Sequence, residues 1–243
     1  MGEQRAFSII IPTYLEEKNI PLIMKKISEV DFNKRIFEVI IVDDNSPDNT
    51  KNMMNELQAQ FSYLKFIIRT GSKSLSHAVI EGIDAAKNEL LIVMDADLSH
   101  PPEKIPEMLI LLERDDIDMV IGSRYVAGGC LKNLGKHHKI ISYFAIGLSK
   151  MVLPIKVKDP LSGFMGIRKT VYDRGKKLNP IGWKIGLEIM IKCGCKNIIE
   201  VPIEFSGRQQ GRSKLNIKVC FDYLCHIIKL FFYQRLKNVE NEG

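Results

Sequence analysis

The sequence is poor in several features that usually decide a function class early. None of its apolar runs reaches uninterrupted the roughly 20 residues that a membrane-spanning helix needs, so no transmembrane segment is expected. No Gly-x-Gly-x-x-Gly follows the first apolar strand, which disfavours an ordinary dinucleotide-binding fold, and the phosphate-binding lysine loop of NTPases is missing too. Met1-Gly2-Glu3-Gln4-Arg5 has no secretory pattern, and position 6 holds Ala6 where a myristoylation signal needs Ser or Thr. Cysteine is sparse and odd in number, with 5 residues: Cys130, Cys193, Cys195, Cys220 and Cys225. Free thiols in a reducing compartment are therefore expected. Cys193-x-Cys195 has no His or second Cys pair at zinc spacing and reads as structural. Internal repeats and low-complexity linkers are absent.

What remains is a chain of 243 residues, 45% hydrophobic, with a formal charge of +6. That length suits one large α/β unit, and that charge suits an anionic partner. Nucleic acid is disfavoured, because the basic stretch Arg208-Gln209-Gln210-Gly211-Arg212-Ser213-Lys214 has no interleaved aromatics. Apolar, β-branched runs recur at Phe7-Ser8-Ile9-Ile10-Ile11, Phe37-Glu38-Val39-Ile40-Ile41-Val42, Leu64 to Arg69, Leu91-Ile92-Val93 and Met119-Val120-Ile121. Helical segments are expected between them, opened by Asn19-Ile20-Pro21, Pro47, Leu75 and His100-Pro101-Pro102, with Pro suited to a first turn. Strand and helix alternating with short connections predict a doubly wound, mostly parallel sheet flanked by helices.

Leu91-Ile92-Val93-Met94-Asp95-Ala96-Asp97 is the most informative stretch. A buried parallel strand arrives at its carboxyl end and delivers two acids one residue apart, where ligands of open α/β sheets bind. Asp95 and Asp97 could share one hard cation, Mg²⁺ or Mn²⁺, with substrate phosphates completing the shell. The plainer reading is a pair of solvated acids. The second strand also ends in acids, Asp43-Asp44-Asn45-Ser46-Pro47-Asp48, which can accept hydrogen bonds from a base or a ribose.

Four motifs follow one another in order: Pro12-Thr13-Tyr14-x-Glu16, Val42-Asp43-Asp44-x-Ser46-Pro47-Asp48, Met94-Asp95-Ala96-Asp97-Leu98-Ser99-His100-Pro101-Pro102-Glu103 and Gly122-Ser123-Arg124-Tyr125. Together they resemble the inverting family 2 glycosyltransferases of the GT-A fold. Asp159-Pro160-Leu161-Ser162-Gly163-Phe164, Gly182-Trp183-Lys184-x-x-Leu187-Glu188 and Arg208-x-x-Gly211-x-Ser213-Lys214-Leu215 narrow this to the polyprenyl-phosphate branch. The likeness spans about residues 7 to 233.

The resemblance implies a Rossmann-like GT-A catalytic domain over residues 1–215, and an amphipathic C-terminal helix and tail over 216–243. It implies transfer of mannose from GDP-mannose to dolichyl or another polyprenyl phosphate with inversion. A different donor such as UDP-glucose, or a catalytically silent nucleotide-sugar-binding subunit, are the alternatives. Pro12, Tyr14, Glu16, Asp43, Asp44, Asp95, Ala96, Asp97, Lys184, Arg208 and Lys214 are the implied nucleotide-sugar contacts, with Asp44 favoured over Asp43. Asp95, Asp97 and Ser99 are the implied metal ligands for Mg²⁺ or Mn²⁺. Arg124, His138, Ser142 and Ser213 would meet the acceptor phosphate, and Asp97, Arg124 and Lys214 would be catalytic. His138 stands where relatives often carry Arg, and Ser74 where they carry Gly, which would stiffen that loop.

A phosphate acceptor is already anionic near neutral pH, so this transfer needs no general base. It needs cations to hold two phosphates close together. Lys184 and Glu188, four apart, read as an ordinary helix salt pair. His100 reads as a packing or capping residue.

Phe221, Leu224, Ile228 and Phe231 or Phe232 fall on one face of a helix beginning near Lys218. A second apolar helix is expected from Ile140 to Leu153. Either could lie in a membrane interface or simply pack on the core. The chain is expected to act peripherally at the cytoplasmic face of a membrane, alone or with a small membrane-anchoring subunit.

Overall fold

The structure is a computed structural model. It describes residues 5–132, 136–175, 178–207 and 217–242, without the side chains of 136–138, 217–218 and 238–242. Its centre is a 7-stranded sheet. In chain order the strands are β1 (Phe7–Thr13), β2 (Phe37–Asp43), β3 (Leu64–Ile68), β4 (Leu90–Val93), β5 (Met119–Ser123), β7 (Met165–Arg168) and β8 (Ile198–Pro202). Across the sheet they run β3-β2-β1-β4-β7-β5-β8, and a separate ribbon pairs β6 (Cys130–Lys132) with β9 (Glu204–Ser206). All pairings in the large sheet are parallel except those of β7, which runs against both β4 and β5.

The unbroken apolar runs have a simple cause: both faces of the sheet are covered. Ile9, Ile11, Val39, Ile41, Leu90 and Ile92 point into one core, while their neighbours Ile10, Ile40, Val42, Leu91 and Val93 point into the other. Such strands cannot alternate polar and apolar residues. The first core is closed by α1 (Ile20–Glu29), α2 (Thr50–Gln60) and α4 (Ile105–Leu112), and the second by α3 (Leu75–Ala85), the short α6 (Lys169–Tyr172) and α7 (Ile185–Lys192).

Strand order reverses between β1 and β4. The connection leaving β1 goes toward β2, and the chain returns past β1 to β4, so a crevice opens beyond their carboxyl ends. This places the acids of three loops side by side.

A third, smaller core joins α5 (Lys136–Val152), α7 and α8 (Ile217–Glu242) through Ile146, Leu153, Leu187, Ile191, Ile227 and Leu230. Tyr223 on α8 donates its hydroxyl proton to Ala145 O on α5 at 2.8 Å. The opposite faces of both helices remain exposed and apolar: Ile140, Phe144 and Met151 on α5, and Phe221, Leu224, Ile228 and Phe232 on α8. Phe231 turns inward against the small core, so Phe232 is the residue that continues the outer stripe. Among the described residues no helix is long and apolar enough to cross a membrane.

Candidate functional site

A cleft of about 230 Å³ lies over the switch point between β1 and β4. Pro12, Thr13, Tyr14 and Glu16 contribute from the end of β1, Asp44 from the end of β2, and Asp95, Ala96 and Asp97 from the end of β4. Each of these loops contains one non-glycine residue in the left-handed region: Leu15 at φ 60°, Asn45 at φ 55° and Leu98 at φ 63°. Such backbone is costly and persists where surrounding bonds over-determine it. Those bonds are visible. Leu15 N donates to Ser46 Oγ at 2.8 Å, which ties the first loop to the second. Ser46 N and Oγ donate to the two oxygens of Asp43, each at 2.7 Å, and Thr13 Oγ1 donates to Asp43 Oδ2 at 2.9 Å. Asp43 is thus a clamp behind the wall and not part of the cleft lining.

Asp44 faces the cleft but is held from behind. Arg69, one residue beyond β3, forms a buried ion pair with Asp44 Oδ1, and Ser74 N donates to Oδ2 at 2.7 Å. Arg69 Nε reaches Glu81 on α3 at 3.1 Å. Ser74 also caps α3, accepting from His77 N at 3.3 Å. The bond to Asp44 uses the backbone N–H, which glycine would also supply; what serine adds in place of glycine is the hydroxyl cap on the helix. Lys73 pairs with the Tyr14 hydroxyl and lies 4.1 Å from the centre of its ring.

At β4, Asp97 is buried, and its Oδ1 accepts from Ser99 N at 3.1 Å and Ser99 Oγ at 2.6 Å. Asp95 is about one-third exposed. Its backbone N–H donates to His100 Nδ1 at 3.0 Å, so that nitrogen is an acceptor and the neutral ring carries its proton on Nε2. Burial pushes the His100 pKa down despite the pull of Asp95 and Asp97, and Phe164 stacks on the ring with centroids 5.2 Å apart. His100 is a neutral prop for the acid loop. A Cβ on Gly163 would stand 3.6 Å from both Asp95 oxygens and 3.4 Å from the His100 ring, so this backbone packs directly against the acid loop.

The donor set of Asp95, Asp97 and Ser99 is all oxygen, as Mg²⁺ and Mn²⁺ prefer. Among the described residues no group of three or more His, Cys, Asp or Glu forms a cage for an ion. Two carboxylates with one partly open face fit a hard cation that takes its other ligands from water and diphosphate.

Beyond β5, Arg124 meets Asp159 in a two-pronged pair, and its guanidinium lies 5.3 Å from the ring centres of both Tyr125 and Phe205. Burial alone would lower the Arg124 pKa, but the bonds to Asp159 outweigh it and the net shift is upward. The Tyr125 hydroxyl donates to Ser142 Oγ on α5 at 2.9 Å, which brings Ser142 to this end of the site. Lys184 Nζ donates to Leu161 O at 3.1 Å. Burial and the nearby Arg124 both lower the Lys184 pKa, against the pull of Asp95 and Asp159. The expected Lys184–Glu188 pair does not form. Glu188 instead pairs with Lys192 at 2.7 Å and with His226 of α8 at 2.9 Å, because α7 turns its acid toward the small core. The side chain of His138, and all of Arg208, Ser213 and Lys214, lie outside the described residues.

Arg69, Lys73 and Leu75 belong to the site's surroundings although no sequence feature assigns them a function. Ser74 and Trp183 carry a signal, as a departure from the family pattern and as part of the Gly182-Trp183-Lys184 motif, but neither signal names a role in the cleft.

The family model for glycosyl transferase family 2 matches residues 8–175. A dolichol-phosphate mannosyltransferase of Pyrococcus furiosus is 42% identical over 229 residues, covering 93% of this chain and 64% of that protein. The chain thus spans under two-thirds of that relative's length. The Saccharomyces cerevisiae dolichol-phosphate mannosyltransferase is 35% identical over 240 residues, covering 94% of this chain and 88% of that protein. Among solved structures, glucosyl-3-phosphoglycerate synthase from Mycobacterium tuberculosis with Mn²⁺, UDP and phosphoglyceric acid superposes with a TM-score of 0.70 at 17% identity, covering 93% of this chain and 78% of that one. The same enzyme with Mg²⁺ and UDP gives 0.68, covering 93% and 79%. At that identity the likeness speaks for the fold alone.

Proposed function

The chain belongs to glycosyl transferase family 2, and we propose that it transfers mannose from GDP-mannose to the phosphate of dolichol or a similar polyprenol. One acceptor phosphate oxygen attacks the anomeric carbon as the bond from that carbon to the diphosphate oxygen breaks. GDP leaves and the configuration inverts, giving a β-linked mannosyl phosphate. The names of the mannosyltransferase relatives support mannose as the sugar and dolichyl phosphate as the acceptor.

The observation that carries the choice of a phosphate acceptor is the state of Asp159. A hydroxyl acceptor would require a carboxylate base near the transfer point. Asp159, the carboxylate that with Asp95 acts on both Arg124 and Lys184, is fully buried with both oxygens taken by Arg124. Arg124 commits Nε and Nη2 to Asp159 and keeps Nη1, with the Lys184 amine nearby, as donors for an acceptor that is already an anion.

The remaining roles follow the order of strands. Asp44, with Tyr14 and Glu16, would receive the nucleoside. Asp95 and Asp97, supported by Ser99, would hold Mg²⁺ or Mn²⁺, which when bound supplies Lewis-acid stabilisation to the leaving diphosphate. Arg124 would orient the acceptor phosphate, with Ser142 fixed nearby through Tyr125. Arg208, Ser213 and Lys214 are proposed to close over the phosphates. The exposed apolar stripes of α5 and α8 would rest in the headgroup region, bringing the cleft to the lipid at the cytoplasmic face or beside a small anchoring subunit.

The test is transfer of labelled sugar from a panel of GDP- and UDP-sugars to dolichyl phosphate in detergent with Mg²⁺ or Mn²⁺. Lipid-extractable mannose from GDP-mannose is the expected product. Transfer from UDP-glucose instead would replace the donor. Tight nucleotide binding with no product from any donor would point to a missing partner, a different acceptor or a silent binding subunit.

A further inference from the structure

Trp183 is the one tryptophan in the sequence, and it is 38% exposed on the wall of a cleft that it shares with the charged side chains of Glu16, Asp44, Lys73, Asp95 and Asp97. A large aromatic left partly bare among Asp44, Lys73, Asp95 and Asp97 is the kind of exposure that calls for a ligand. Its placement is rigid on both sides. Gly182, which precedes it, sits at φ 72° and accepts a 2.8 Å hydrogen bond on its carbonyl from Ser76 Oγ of α3. Lys184, which follows it, is tied to Leu161 O and opens α7.

These anchors place the indole along the site. Ser76 lies two residues from Ser74, whose N–H holds Asp44 at the nucleoside end. The Lys184 ammonium is within electrostatic reach of Asp95, Asp159 and Arg124 at the transfer end. Trp183 is held by its neighbours between these two anchors in the chain, and it lines the same cleft as Asp44 and as Asp95 and Asp97, which would hold the diphosphate. The group a nucleoside diphosphate sugar presents next is its hexosyl ring. A pyranose offers one face of C–H bonds, and the electron-rich face of an indole attracts C–H edges while shielding them from water. The alternative occupant of an aromatic platform, the nucleobase, belongs nearer Asp44, where Tyr14 lies under the Lys73 ammonium.

We infer that Trp183 is the platform for the hexosyl group of the donor, and so a specificity-determining residue. The inference rests on the proposed glycosyl transfer and adds a sugar contact that the acid motifs do not supply.

The experiment compares binding of GDP and GDP-mannose by calorimetry to wild type, Trp183→Ala and Trp183→Phe. Trp183→Ala should raise Kd for GDP-mannose about tenfold while Kd for GDP stays within about twofold. Trp183→Phe, which keeps a ring face and any structural filling, should recover most of the loss. The wild-type tryptophan emission should respond more strongly to GDP-mannose than to GDP. Equal weakening of both ligands in the Ala variant would overturn the sugar assignment in favour of a base or a structural role, and unchanged affinity for both would remove the contact. Failure of the underlying function would look different: the wild type itself would bind no nucleotide sugar, and the inference would fall with it.

Discussion

Arg124 takes both oxygens of Asp159: Nη2 donates to Oδ1 and Nε to Oδ2, each at 2.7 Å, and the backbone N–H of Arg124 adds a third bond at 3.0 Å. A fully buried acid whose neighbour is a fork-shaped cation fixes that cation's plane as well as its charge. Asp159→Asn should leave a buried arginine without its counter-charge, at about 3–5 kcal/mol of stability by the general cost of breaking such pairs. Thermal unfolding measures that loss. Arg124→Lys keeps the charge and loses the fork, so transfer should fall about tenfold or more with KM for the lipid phosphate rising. Unchanged kinetics in Arg124→Lys would remove this residue from the acceptor site.

The acid pair gives a second prediction. Asp97→Asn should reduce transfer by about a hundredfold or more, on the several-kcal/mol scale of Lewis-acid stabilisation, with circular dichroism unchanged. A chelator should abolish wild-type transfer, and Mg²⁺ or Mn²⁺ should restore it. Full activity of Asp97→Asn would sink the metal assignment.

Much of this was readable from residues because the acid loops end unbroken apolar strands, and such strands in a parallel sheet deliver their last residues to the ligand side. Asp44, Asp95 and Asp97 each close a run that carries its own signal. Lys73 and Trp183 do not, and Arg69, though it closes the third run, brings no acid with it. They arrive from beyond β3, the start of α3 and the loop before α7, and only the folded crossing of those segments brings them to the cleft. The antiparallel β7 was hidden for a related reason. Met165–Arg168 is four residues long with both faces buried, and direction leaves no mark on so short a run. The Lys184–Glu188 pairing failed because helical spacing names two possible partners, four before and four after, and the small core selected Lys192.

Arg69 yields a prediction that the acids alone do not. It neutralises Asp44 from behind while Ser74 N fixes the other oxygen. Arg69→Ala should free the carboxylate to rotate and leave its charge uncompensated. Donor affinity should weaken by about tenfold or more, in line with losing one charge-assisted bond, with little change in kcat. A fall in kcat with KM intact would contradict this division of roles.

The outer stripes of α5 and α8 predict lipid binding. Phe144 and Phe232 are 73% and 59% exposed, on faces turned from the core those helices share. In liposome flotation, Phe144→Glu or Phe232→Glu should each weaken binding by about tenfold, the scale of burying one large apolar side chain. Melting temperatures should not change. Wild-type protein that stays off vesicles with and without dolichyl phosphate would overturn the interfacial role.

The last prediction concerns how α8 is held. Glu188 is fully buried, and it accepts from Asn179 N at 2.6 Å besides pairing with Lys192 and His226. Burial would raise its pKa, but these partners outweigh burial and hold it down at about 2, against an ordinary value of 4.5. A folded-state pKa below the unfolded one means that the carboxylate form favours folding. Its contribution is complete above the unfolded value and is lost as pH falls through the folded one. Unfolding free energy should therefore drop between about pH 4.5 and pH 2. Glu188→Gln should be less stable at neutral pH, because Lys192 loses its charge partner, and should show a shallower decline over that acid window. Denaturant titrations of both proteins across that range measure the slope directly. Parallel slopes would show that Glu188 does not govern acid stability, and that the α7–α8 junction is held by its apolar contacts alone.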